Sequence, residues 1–235
     1  MLDYKDIKKA TNYGTFRSRN ISELVCMNLS PFFSKFFIKL KVIPNTITLL
    51  MVIFGIIGGI LFCIPNLSCK ILGIICFFLW FIMDCSDGEV ARYTKHFSKY
   101  GKEMDFMAHI IDHTFVNFSF WMTYIQMGKY NNFYITGIFI LFISFELIAR
   151  NIIAFEELDS NKKEKSNLPF NPSWPKYIFI QFAYYPNIVL FFPIVILLDY
   201  IGILNSFNIL IVVFLLNIIN VINMYVKELI HFYKS

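Results

Sequence analysis

The stretch Ile71-Leu72-Gly73-Ile74-Ile75-Cys76-Phe77-Phe78-Leu79-Trp80-Phe81-Ile82-Met83-Asp84-Cys85-Ser86-Asp87-Gly88-Glu89-Val90-Ala91-Arg92 decides the fold. An unbroken apolar run feeds directly into acids, and acids at such a depth in a hydrophobic helix mark function. At about 100° per residue, Asp84, Asp87, Gly88 and Ala91 fall on one helical face. After a polar and basic stretch from Tyr93 to Tyr100 come Gly101, Asp105, His109 and Asp112. The last three are four and three residues apart, so they share a face of the next helix. Two successive helices can thus present carboxylates and an imidazole to one point.

Working outward, the composition excludes an ordinary water-soluble domain. Of 235 residues, 57% are hydrophobic and 19% aromatic, and the mean hydropathy is +0.59. A hydrocarbon core of ~30 Å needs ~20 apolar residues per helix. Six segments meet that demand, at about 43–64, 70–91, 104–127, 131–153, 175–199 and 206–228. The expected fold is an all-α, six-transmembrane-helix bundle spanning 43–235, preceded by an N-terminal region, 1–42. An even number of spans puts both termini on one side.

Basic residues choose the side. Of the 21 Lys and Arg residues, all but Lys70 and Lys129 lie before span one, between spans two and three, around the loop between spans four and five, or after span six. By the positive-inside rule both termini and the acidic cluster are cytoplasmic. Topology alone accounts for the net charge of +5, so no nucleic-acid partner is invoked.

Residues 1–20 read as a loosely ordered polar lead. From Ile21 to Leu40 apolar residues recur at helical spacing around Pro31, with Lys35 and Lys39 opposite, as in an amphipathic helix at the membrane interface. Pro44-Asn45-Thr46 suits a first helical turn, where proline costs no hydrogen bond. The exposed N–H groups there, with Asn45 and Thr46, offer either a plain helix cap or a phosphate seat. Gly88 and Ala91 allow close approach of a flat ring or a phosphate, or simply close helix packing. Gly101 is expected to turn the chain into span three. Glu146 and Arg150, four apart in span four, form an ion pair or leave Arg150 to receive an anionic group of a substrate. The segment from Glu156 to Pro175 reads as a mobile connection, and Pro186 as a kink in span five. Asn217, Asn220 and Asn223 form a polar stripe suited to interhelical hydrogen bonds. The five cysteines lack metal-finger spacing and read as packing residues, with Cys63 and Cys69 near enough in sequence to pair across the turn. No internal repeat suggests a transporter of inverted halves.

Clustered carboxylates at a membrane boundary suit Mg²⁺ or Mn²⁺, particularly where substrate phosphates complete the shell. The pattern D-x2-D-G-x2-A-R-x8-G-x3-D-x3-D, which Asp84, Asp87, Gly88, Ala91, Arg92, Gly101 and Asp105 fit at every spacing, resembles the signature of the CDP-alcohol phosphotransferases. The helix start at Pro44-Asn45 is similar to that family's Pro-Asn-x-x-Thr start, with Thr46 here directly after Asn45.

The resemblance implies a six-helix membrane enzyme, commonly a homodimer, with two divalent metals. Such an enzyme moves the phospho-alcohol part of a CDP-linked donor to an acceptor hydroxyl and releases CMP. By that likeness Asp84, Asp87 and Asp105 are metal ligands, Gly88 and Ala91 border the cytidine, and Arg92 holds donor phosphate. His109 stands where the family has its last aspartate, the proposed general base. An imidazole can take that proton near neutral pH, and Asp112 can orient it. Losing a carboxylate weakens the case for a second metal. A lipid or a saccharide is the expected acceptor, and the cytoplasmic membrane of a bacterium the expected location. Two other readings stand beside this one: a divalent-cation or small-solute transporter, and an inactive homologue that keeps the fold.

Overall fold

A computed structural model describes residues 4–11, 19–158 and 172–234. Among these, every regular element is helical: α1 (Tyr4–Thr11), α2 (Ile21–Lys39), α3 (Pro44–Cys63), α4 (Leu67–Thr94), α5 (Gly101–Met127), α6 (Asn132–Leu158), α7 (Trp174–Ala183), α8 (Tyr185–Tyr200) and α9 (Phe207–Lys234). Four of them, α3, α4, α6 and α9, are long and apolar enough to cross a membrane, and the bent pair α7–α8 makes a fifth candidate. The expected third span, α5, has the length but not the apolarity. Its inward side carries His109, Asp112, His113, Asn117, Ser119 and Thr123, all buried. The chain divides into two compact units, Met1–Thr123 and Tyr124–Ser235.

In the first unit α3 and α4 pack along a seam of glycines. A Cβ added at Gly58 would meet Phe77 of α4 at 2.8 Å, and one at Gly59 would meet Phe115 of α5 at 2.9 Å. The helices therefore approach more closely than any larger residue would permit. Lys70 is fully buried despite its place near the start of α4. Its Nζ donates to the Phe62 carbonyl at the end of α3 and to Thr123 Oγ1 of α5, so it ties three helix ends together and is no loop charge.

Part of the lead, expected to be loosely ordered, is helical. Tyr4–Thr11 forms a helix whose Ile7 is fully buried, and α1 packs on α2 and α4. The α2 helix runs unbroken through Pro31, beginning where the Asn20 backbone N–H donates to Glu23 at 3.0 Å. Its arrangement inverts that of a helix in water. Ser22, Cys26, Ser30 and Ser34 face inward, while Leu29, Phe32, Phe36 and Leu40 are 46%, 60%, 58% and 59% exposed.

In the second unit, α7 and α8 meet at a bend of 66°. The break lies at Tyr184, and Pro186 occupies the first turn of α8 instead of kinking a continuous helix. The backbone groups exposed there find side-chain partners, as they must in an apolar setting. Asn217 Nδ2 donates to the Ala183 carbonyl, and Asn187 Nδ2 to the Gln181 carbonyl. Of the asparagine stripe, Asn217 makes this interhelical bond and Asn223 is exposed. At the other end, buried Asp199 accepts from Lys129 Nζ, the Tyr130 hydroxyl, and both the backbone N–H and hydroxyl of Ser206. Lys129, like Lys70, is thus committed to an internal contact. No disulfide joins the described cysteines. Residues 159–171 of the expected connection, including Lys162, Lys163 and Lys165, lie outside the described residues.

Candidate active site

The site forms where the end of α4 meets the beginning of α5. Asp84, Asp105 and His109 each bring one ligand atom to within 4.8 Å of the others. His109 Nε2 lies 3.3 Å from Asp84 Oδ1 and 3.6 Å from Asp105 Oδ1. The i,i+4 spacing of Asp105 and His109 stacks them on one face of α5, and α4 delivers Asp84 from across the interface. His109 is buried while Asp105 is half exposed, so the cluster has a dry floor and a wet rim.

Asp87 is held differently from the other acids. Its Oδ2 accepts a 2.6 Å hydrogen bond from Thr48 Oγ1, four residues into α3. Thr48 is the residue that sequence reading missed. It lies three positions after Asn45, which is the spacing of the Pro-Asn-x-x-Thr start, and stands in place of the expected Thr46. Thr46 is exposed, and Thr48 is buried against the acids. Asn45 Nδ2 donates to Ser98 Oγ at 3.2 Å, securing the α4–α5 connection to the start of α3.

A Cβ at Gly88 would stand 2.9 Å from Arg92 Nη2, so the guanidinium folds back over the glycine, one turn from Asp87. Gly101 stands where the chain turns into α5, its N–H donating to the Ser98 carbonyl at 3.3 Å. The left-handed residue in this connection is Lys95, at φ 57°, and a Cβ at Gly101 would make only an ordinary 3.5 Å contact with Ser98.

Asp112 is fully buried, and its Oδ2 accepts from Trp80 Nε1 at 2.7 Å. The indole stands edge-on to His109, with centroids 5.9 Å apart, and to His113, at 5.8 Å. Trp80 sat within an apolar run and gave no sequence signal beyond its place one turn before Asp84. Glu89 is also buried, inside the motif but on the opposite side of α4. It accepts from Ser30 and, at 2.6 Å, from Ser34 of α2. In the second unit, Arg150 Nε donates to Glu146 at 3.2 Å, the ion pair that their spacing suggested.

Two carboxylate oxygens and an imidazole nitrogen suit a divalent cation of the Mg²⁺ or Mn²⁺ type, the oxygens for either and the nitrogen for the latter. Fold and site together define an all-helical membrane protein with a candidate cation centre at adjoining helix ends. The CDP-alcohol phosphatidyltransferase family matches residues 41–222, and the chain belongs to that family. No curated protein matches it. Membership makes it a membrane transferase of phospho-alcohol groups.

Proposed function

We propose that this protein transfers a phospho-alcohol or phosphatidyl group from a CDP-linked donor to the hydroxyl of a lipid or saccharide, releasing CMP at the cytoplasmic face. The observation that carries the reading is the meeting of His109 Nε2 with Asp84 and Asp105. A base next to acids is the combination that the reaction requires, since one group must take the acceptor's proton while others manage the charge of two phosphates.

Asp84 and Asp105, with Asp87 one turn along, would hold the cation, and His109 would stay outside its shell to act as the base. Bound Mg²⁺ or Mn²⁺ would withdraw charge from the bridging diphosphate as its P–O bond breaks. Thr48 fixes the rotamer of Asp87 through its hydrogen bond. Arg92, lying over Gly88, offers a planar set of donors to the donor phosphates, and by family likeness Gly88 and Ala91 border the cytidine. His109 accepts the proton of the attacking hydroxyl, standing in the place of the family's last aspartate, and Asp112 steadies the charged ring. Arg150 is assigned to an anionic group of the acceptor. Six spans with both termini inside, and a homodimer, complete the reading. The inverted exposure of α2 and the internal commitment of Lys70 and Lys129 support that topology.

The test is CMP release by the purified full-length protein from CDP-diacylglycerol, CDP-glycerol or CDP-ethanolamine, with a total membrane extract as acceptor. Release that needs Mg²⁺ or Mn²⁺ and is lost in Asp105→Ala is the expected result. No release from any of the three, with no binding of CMP, overturns the proposal.

A further inference from the structure

Trp80 is fully buried and donates its only polar hydrogen to Asp112, a residue of the neighbouring helix that is itself fully buried. A third helix completes the enclosure. A Cβ at Gly55 of α3 would run into the Asp112 carboxylate, so glycine there is what leaves the carboxylate room. Three helices therefore build a niche for one carboxylate, and the indole is the side chain that the structure shows donating to it. Burying a carboxylate in apolar surroundings is costly unless donors meet it, so its presence needs a reason. Oδ1 has no hydrogen-bond partner among the described residues. The same indole that fixes Oδ2 also walls the His109 ring, edge to face, and Asp112 follows His109 by one helical turn.

We propose that Trp80 is a positioning residue of the transfer reaction: its N–H fixes Asp112 while its ring walls His109, so that one side chain sets the placement of both groups. The inference rests on the transferase reading and adds a residue that the motif does not contain. It differs from plain packing in one respect. The N–H itself matters, beyond the shape of the ring.

Two replacements separate these roles: Trp80→Phe, and benzothienylalanine at position 80, which keeps the bicyclic shape but has no N–H. Each is measured for kcat and for KM of whichever donor, CDP-diacylglycerol, CDP-glycerol or CDP-ethanolamine, the wild type turns over. The expected result is a fall in kcat of about ten- to a hundredfold for both, with KM changed by less than about twofold. In an Asp112→Asn background either replacement should lower kcat by less than about a further twofold, because the residue it acts through is already altered. Should Trp80→Phe fail to fold, the isosteric replacement carries the same comparison. Wild-type kcat with benzothienylalanine, or losses that multiply with Asp112→Asn, would overturn the role of Trp80 alone. A wild type that releases no CMP from any donor would instead overturn the transferase reading, and this inference with it.

Discussion

Glu89 offers the sharpest test of how α2 is joined to α4. Its carboxyl group is 1% exposed and receives the hydroxyls of Ser30 and Ser34. Replacing both serines by alanine removes those donors while leaving the acid buried. Interhelical hydrogen bonds in membrane proteins average about 0.6 kcal/mol and reach about 1.7. Stranding a buried polar group costs about 1–3 kcal/mol. The Ser30→Ala/Ser34→Ala protein should therefore lose roughly 1–3 kcal/mol. That is a visible share of the ~5–15 kcal/mol by which folded proteins are stable. Adding Glu89→Leu should recover half or more of the loss, since removing both sides of a buried hydrogen bond costs far less than removing one. Thermal unfolding in a fixed detergent–lipid mixture reads both changes. A triple variant no more stable than the double would refute the reasoning, because Glu89 would then not depend on these hydroxyls.

Other substitutions probe the site. His109→Asp should keep or raise CMP release, while His109→Ala should lower it by at least ~10²-fold, the low end for loss of a general base. Equal rates for His109→Ala and wild type would remove the histidine from the mechanism. Thr48→Val keeps the shape but frees Asp87, so donor turnover should fall with little change in melting temperature; an unchanged rate would make the Thr48 contact incidental. Gly55→Ala drives a methyl group into the Asp112 carboxylate and should cost roughly 1–3 kcal/mol of stability, as overpacking does. An unaltered unfolding temperature would show that the niche is looser than described.

Much of the site was legible because motif spacing and helical geometry say the same thing. Asp105 and His109 are four apart, so any helix through them stacks them, and the apolar run before Asp84 had to be helical at that length. Thr48 was passed over although the Pro-Asn-x-x-Thr spacing points to it, and the rotation of α3 leaves Thr46 exposed and Thr48 buried. Trp80 and Glu89 were invisible for another reason. Their partners, Asp112 and the two serines, lie 32, 55 and 59 residues away, and no periodicity encodes a contact between helices. Gly101 takes its place at the turn into α5, whereas nothing in the sequence marked Lys95 for the left-handed conformation at the end of α4. α5, expected as the third span, falls short of the apolarity of the others because polar residues occupy its inward side.

The central claim is that Asp84 and Asp105 gather at their helix ends to hold a cation against a nucleotide's phosphates. Titration of Mn²⁺ onto the full-length protein, followed by electron paramagnetic resonance, tests it without any need for turnover. Binding should be saturable, should tighten when CMP is added, and should weaken at least tenfold in both Asp84→Ala and Asp105→Ala. Binding that is unchanged in the two variants, or indifferent to CMP, would contradict the account.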